Sequence, residues 1–201
     1  AMTLSLRTIL VIAATALAAC ARGAPPPPAE QVAAGDAEQR FSIYDLGSTW
    51  RDQRGVPRPI ASLAGRPTVV AMIYTHCTAT CPLIIGEMKR LEHATSPDVA
   101  LVLVSLDPDR DTPGRLAEYA STEGLGADRW TLLSGTDDDT RSLAAALAIR
   151  YRRVSAAELA HSNTLTLLDA TGAIVRQEMG LGASETILRA IHARPDASAS
   201  N

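Results

Sequence analysis

The chain has 201 residues, 46% of them hydrophobic and 20% charged, with a formal net charge of −3 at neutral pH. One lysine, Lys89, and a short cluster at Arg150, Arg152 and Arg153 make no basic face, which excludes nucleic acid as an expected partner. There is no internal repeat and no acidic or basic tail, which excludes a repeat array or a charged interaction arm.

Ala1 stands ahead of Met2, where translation is read to begin. Arg7 supplies a positive charge, and Thr8 to Ala19 form an apolar run, shorter than the roughly 20 residues of a membrane-spanning helix. Residues 1–20 therefore read as a signal peptide. The end of the run, Leu17-Ala18-Ala19-Cys20, resembles a bacterial lipobox, in which the cysteine is lipidated on sulfur and becomes the mature N-terminus. Cleavage near Ala19 by an ordinary signal peptidase is the alternative. Residues 21–38, with four consecutive prolines from Pro25 to Pro28, form a stiff tether. The expected location is the periplasmic side of a bacterial membrane, anchored through Cys20; Ala21, in place of aspartate, tilts the choice toward the outer membrane. About 165 residues remain, enough for one domain with its own core, placed at 39–196 and followed by a disordered tail at 197–201.

In chain order, Phe41, Ile43 and Leu46 alternate ahead of turn residues around Gly47 and Gly55, a pattern expected of a short β-hairpin between Phe41 and Pro67. Thr68 to Tyr74 is a near-continuous aliphatic, largely β-branched run, expected to be a buried central strand. Pro82 suits a first helical turn, and Leu83, Ile84, Met88 and Leu91 recur at helical spacing to about His93. A second buried strand covers Val99 to Ser105. Thr112 as N-cap, Pro113 at the first helical position and Gly124 as stop delimit a helix. Trp130 to Leu133 is a short strand, and Asp137-Asp138-Asp139 opens an Ala/Leu-rich helix ending near Ile149. Thr164 to Leu168, a turn at residues 169–172 and Ala173 to Gln177 form a second hairpin. A last helix covers Ser184 to Ala193.

This order predicts an α/β fold: a central mixed sheet with a parallel centre, flanked by helices, and an N-terminal hairpin. Ligands gather at the carboxyl ends of such strands, and Cys77 falls just past the first central one. With Cys20 assigned to the leader, Cys77 and Cys81 are the whole thiol inventory. Residues at i and i+4 on a helix have Cβ atoms roughly 5–6 Å apart, so the two sulfurs can hold one soft metal ion or form a disulfide. Outside the cytoplasm both states are reachable. A bridge closing so short a loop adds little stability, which argues against a purely structural role. A position for Cys81 near a helix N-terminus is expected to favour its thiolate.

Among other candidates, His76 on an extended stretch is expected to point away from Cys77, and His93 and His192 are expected to serve helix ends. Met72, Met88 and Met179 are soft donors, but Met72 and Met88 sit at core-like positions. Asp107 follows the second central strand and either orients a ligand or tunes a thiol from behind it, or serves turn and cap chemistry. Asp111 reads as structural.

Tyr74-Thr75-His76-Cys77-x-x-x-Cys81-Pro82, then Val104-Ser105-Leu106-Asp107-Pro108-Asp109-Arg110-Asp111-Thr112-Pro113, then His161-Ser162, together resemble the Sco/SenC family of thioredoxin-fold proteins, from about Phe41 to His192. The resemblance implies a thioredoxin-like fold and a role in maturing the copper centre of cytochrome c oxidase, as copper carrier or as thiol-disulfide reductant. It implies one copper per chain, Cu(I) and also Cu(II), on Cys77, Cys81 and His161. Its implied partners are the copper-site subunit of the oxidase, another periplasmic copper chaperone and a thiol reductant, with the chain itself a monomer. Proline is absent from Val154 to Asp169, which fits this family rather than thioredoxins proper. Two features depart from the family pattern: Thr78-Ala79-Thr80 stands where many members have Pro-Asp-Val, and Arg152 to Ala160 is short for the loop presenting the histidine.

The chemistry suits these residues. Cu(I) is soft and prefers thiolate and then imidazole, and two thiolates with a neutral imidazole give a three-coordinate Cu(I) site of charge −1. The ligands must be deprotonated, so affinity should fall with pH. A low-pKa thiolate would also attack a disulfide, with the other cysteine resolving the product. The expected function is a copper metallochaperone, with a thiol-disulfide oxidoreductase or a copper or redox sensor as alternatives. Zinc is chemically permitted at a Cys₂His set.

Overall fold

The computed structural model describes residues 41–156 and 158–193. The readings made in residues 1–40 and 194–201 (leader, lipidated cysteine, tether and tail) lie outside the described residues. Among the described residues no helix is long and apolar enough to cross a membrane.

The strands are β1 (Thr49–Asp52), β2 (Pro57–Pro59), β3 (Thr68–Ile73), β4 (Ala100–Ser105), β5 (Trp130–Ser134), β6 (Tyr151–Arg153), β7 (Leu159–His161), β8 (Thr164–Leu168) and β9 (Ile174–Met179). The helices are α1 (Cys81–Ala94), α2 (Pro113–Glu123), α3 (Asp137–Ala146) and α4 (Ala183–His192). Seven strands form one mixed sheet in the order β2-β1-β5-β4-β3-β8-β9, and β6 and β7 form a separate two-stranded ribbon. Strands β3, β4 and β5 are mutually parallel, whereas β8 runs antiparallel to β3 and β1 antiparallel to β5. This is the mixed sheet with a parallel centre that the order of elements predicts.

The central strands are buried at every position, because helices cover both faces of a parallel centre and leave no side for polar alternation. Side chains such as Leu101 and Leu103 are essentially fully buried, each stabilising the fold by about 1.5–3 kcal/mol relative to exposure. Helices α1 and α4 pack on each other, α1 on β3 and α4 on β8 and β9, and α2 packs on β5 and β1. The caps expected of α2 are present: Thr112 Oγ1 accepts from the Arg115 amide at 3.3 Å, Pro113 opens the helix, and Gly124 ends it at a φ of 67°.

Three expectations need correction. The alternation of Phe41, Ile43 and Leu46 is not strand: Ile43–Leu46 is a 3-10 turn capped by Ser42, with Ile43 and Tyr44 buried and Phe41 exposed. A single turn buries neighbouring positions without any period of two, so alternation there was accidental; the hairpin itself is β1 and β2. Helix α3 stops at Ala146, before Ile149, because Ala148 takes a left-handed φ of 51°; Leu147 and Ile149 remain in the core, which is why the apolar pattern outlasts the helix. The β6–β7 ribbon was not expected at all, since strands of three residues are too short to show a period.

Candidate metal and thiol site

The site gathers at the carboxyl ends of β3 and β4. Buried Asp111 accepts hydrogen bonds from the Thr75 amide at 3.1 Å, Thr75 Oγ1 at 2.6 Å and Ser105 Oγ at 2.6 Å. It thereby ties the ends of β3 and β4 together, in keeping with its structural reading. The chain then turns, with the Cys77 amide donating to the Tyr74 carbonyl at 3.2 Å, and enters α1 at Cys81.

The two cysteines therefore do not share a helix face. Cys77 lies in the turn and Cys81 is the first residue of α1. Thr80 occupies the N-cap position but makes no side-chain cap, and the Cys81 amide donates instead to Cys77 Sγ at 3.3 Å. The sulfur of Cys77 takes the place of a capping oxygen for one of the helix's unpaired first-turn amides. Thr80 Oγ1 lies 3.7 Å from the same sulfur.

This arrangement reverses the expectation that Cys81 is the favoured thiolate. Burial works against ionisation of Cys77, but hydrogen bonds from the Cys81 thiol and from the amides of Cys81, Ala79 and Thr80 bring it down to about 7. Burial pushes the Cys81 thiol well up, and its hydrogen bond to Cys77 adds to the effect. Cys81 is fully buried while Cys77 is partly buried. Helix-end amides favour the sulfur they point at, and they point at Cys77.

His161 reaches the cysteines because β8 is antiparallel to β3. Ala71 pairs with Leu165, so the residues just ahead of β8 lie beyond the carboxyl end of β3, where Cys77 begins its turn. His161 is the last residue of β7, three positions ahead of the start of β8. Its Nε2 is 3.5 Å from Cys81 Sγ. Its Nδ1 is 3.2 Å from the Ser162 carbonyl; a carbonyl can only accept, so Nδ1 carries the proton and Nε2 presents its lone pair toward the sulfurs. Burial lowers the His161 pKa, partly offset by the Ser162 carbonyl, and favours the neutral ring a metal requires. The ligand atoms of Cys77, Cys81 and His161 all lie within 4.8 Å of one another. His161 also lines a shallow surface cleft with Arg150, Tyr151, Arg152, Ala160 and Ser162, so the site is reachable from solvent.

The other candidates fall elsewhere. His76 turns from the sulfurs, as expected: its Nε2 lies 3.2 Å from Arg110 and 3.5 Å from Asp107. Met72 and Met88 are buried in the core, and Met179 is exposed at the end of β9. His192 closes α4, and His93 lies in the last turn of α1. Asp107 is buried and touches none of the three donors; its carboxylate accepts from Arg153 at 2.9 Å and from Arg110 at 3.3 Å. Asp107 is tied to the surroundings of the site on two sides, through Arg153 to the ribbon that carries His161 and through His76 to the residue before Cys77. The Arg153 partnership was missed because it spans 46 residues and has no local pattern.

Comparison with known proteins accords with this geometry. The SCO1/SenC family model matches residues 44–194. The SCO1 protein homolog of Bacillus subtilis is 25% identical over 139 residues, covering 66% of this chain and 72% of that protein. Among solved structures, Arabidopsis thaliana ScoI with copper bound superposes with a TM-score of 0.63 at 21% identity, over 73% of this chain and 97% of that one. BsSco, described as having a disulfide switch and as a member of the Sco family of cytochrome c oxidase assembly proteins, superposes with a TM-score of 0.62 at 22% identity, over 72% and 88%. At these identities the superpositions establish the thioredoxin-like fold.

Proposed function

This chain belongs to the SCO1/SenC family, and from that premise we propose that it is a metallochaperone that carries one copper ion on Cys77, Cys81 and His161 and delivers it to the copper-site subunit of a cytochrome c oxidase. The observation that carries the reading is the convergence of two sulfurs and an imidazole lone pair within 4.8 Å. No carboxylate joins the set, so it suits a soft ion rather than a hard one. Copper here is cargo: one partly exposed sulfur offers a point of entry and exit, and one buried sulfur with a preoriented imidazole offers retention. The copper-bound Arabidopsis relative and the oxidase-assembly description of BsSco support the cargo and the destination. A second periplasmic copper chaperone is the proposed donor, and a lipid on Cys20 the proposed anchor on the periplasmic face of the membrane.

Anaerobic Cu(I) titration against a competing chelator, with wild type and His161→Ala, tests the site. Affinity should fall in the variant by more than the roughly tenfold that loss of a ligand's outer partner costs; equal affinities would overturn the three-ligand reading.

The split between the two thiols favours a second reading, a thiol-disulfide reductant acting on the oxidase cysteines. The Cys77 thiolate attacks a partner disulfide, releasing one partner thiol and forming a mixed disulfide. Cys81, deprotonated as it attacks, then displaces the second partner thiol and leaves a Cys77–Cys81 disulfide, a two-electron oxidation matched by reduction of the partner. A separate thiol reductant must regenerate the pair. Exchange with a disulfide-bearing copper-site peptide no faster than that of a simple small thiol would eliminate this reading.

A further inference from the structure

The ribbon that carries His161 is hydrogen-bonded through its strands only to itself, so something other than sheet pairing must hold the imidazole against the cysteines. Three side chains do so. Arg153 reaches Asp107, Arg110 donates to the Ala156 carbonyl, and Tyr74 reaches Leu159. Both arginines are exposed over almost half their side chains, where solvent competes for every hydrogen bond. Tyr74 is 4% exposed and Leu159 5%.

Tyr74 Oη donates to the Leu159 carbonyl at 3.1 Å and lies 3.4 Å from the Leu159 amide, which donates to it. One hydroxyl therefore satisfies both main-chain groups of a single residue of β7. Leu159 and His161 are two residues apart on a strand and so project to the same side. Fixing the peptide groups of Leu159 fixes the point from which His161 departs. The Tyr74 ring meets the His161 ring edge-on, with centroids 5.8 Å apart at 75°, and also meets the His76 ring edge-on at 4.7 Å. The Tyr74 carbonyl accepts from the Cys77 amide, so the same residue anchors the cysteine turn.

We infer that Tyr74 is a positioning residue: through its hydroxyl on Leu159 and its ring against the imidazole it sets His161 in register with Cys77 and Cys81. As a statement about copper this rests on the proposed ligand set, but its structural core can be tested without metal. Tyr74→Phe keeps the ring and removes only the hydroxyl.

In the metal-free protein, the imidazole nitrogen and Cε1 resonances of His161 should shift and broaden in Tyr74→Phe, while the amide spectrum of the central sheet stays in place. His161 resonances superimposable on wild type would overturn the inference, whatever becomes of copper. Cu(I) competition titrations then form a cycle of wild type, Tyr74→Phe, His161→Ala and the double variant. Tyr74→Phe should weaken binding about tenfold, the loss typical of removing a group that orients a ligand, and should add nothing once His161 is gone. An equal further loss in the His161→Ala background would mark a general structural effect and overturn it. If His161→Ala alone leaves affinity unchanged, the ligand assignment fails instead, and the metal-free spectra decide the case of Tyr74.

Discussion

The amide of Cys81 points at the sulfur of Cys77 across 3.3 Å, so the first turn of α1 stabilises charge on the cysteine outside the helix rather than on the one inside it. The consequence is an ordered pair, with Cys77 ionising at about 7 and Cys81 held protonated by burial and by its bond to Cys77. Alkylation of the reduced, metal-free protein should therefore label Cys77 first, with a rate that rises through a midpoint near pH 7. Cys77→Ser should leave a thiol that resists labelling until strongly alkaline pH. Peptide mass spectrometry after timed quenching checks the order, and preferential labelling of Cys81 would refute it.

Copper binding should release protons in a number fixed by the same pair. At pH 7 Cys77 is partly ionised, Cys81 is protonated and His161 is neutral, so loading the three ligands should release between about one and two protons per copper. Calorimetry in buffers of different ionisation enthalpy measures this number. It should fall toward one by pH 8.5, as Cys77 becomes fully ionised beforehand, and apparent affinity should rise over the same interval.

Glu87 links the helix of Cys81 to the helix that closes the domain. Its buried carboxylate accepts from the Ser184 amide at 2.9 Å, Ser184 Oγ at 2.5 Å and the Gly182 amide at 3.1 Å, and pairs with Arg90. It thus caps α4, whose own N-cap residue is Gly182. Burial would raise its pKa, but the bond from the Ser184 hydroxyl, the two amides and the Arg90 charge hold it below the usual carboxylate range. A depressed folded-state pKa stabilises the fold above the unfolded value, and that stabilisation is lost as pH falls through the folded one. Glu87→Ala should cost about 2–3 kcal/mol at pH 7. Urea unfolding at descending pH should show the gap between wild type and variant closing in acid.

Gly135 is set by a close approach. A Cβ there would lie 2.6 Å from Cε3 of Trp50, a fully buried ring whose Nε1 donates to Ser48 Oγ at 2.9 Å. The ring has no room to retreat without breaking that bond. Gly135→Ala should destabilise by about 1–3 kcal/mol, the usual cost of overpacking a core, despite its distance in sequence from the cysteines. Chemical denaturation with unchanged m-value checks it.

Much of this protein was legible from local pattern. The buried runs that became β3 and β4, the Thr112-Pro113 start and Gly124 stop of α2, and the cysteine pair at the carboxyl end of a central strand are all written within a few residues of one another, where period, caps and turn chemistry act. The sheet class followed from the alternation of those elements. His161 was reached only through the resemblance of three separated blocks, since nothing local marks a histidine as facing a sulfur 80 residues away.

The tertiary structure decided what depends on direction. The antiparallel pairing of β8 with β3 brings the segment holding His161 to the cysteine end of the sheet. Which thiol carries the charge depends on where one amide points, and i, i+4 spacing is silent on that because Cys77 precedes the helix. The ties from Tyr74 to Leu159 and from Asp107 to Arg153 join residues 85 and 46 positions apart. They come into being only when the chain has folded, and of the two only the tie from Tyr74 to Leu159 is buried at both ends, where water does not compete for it.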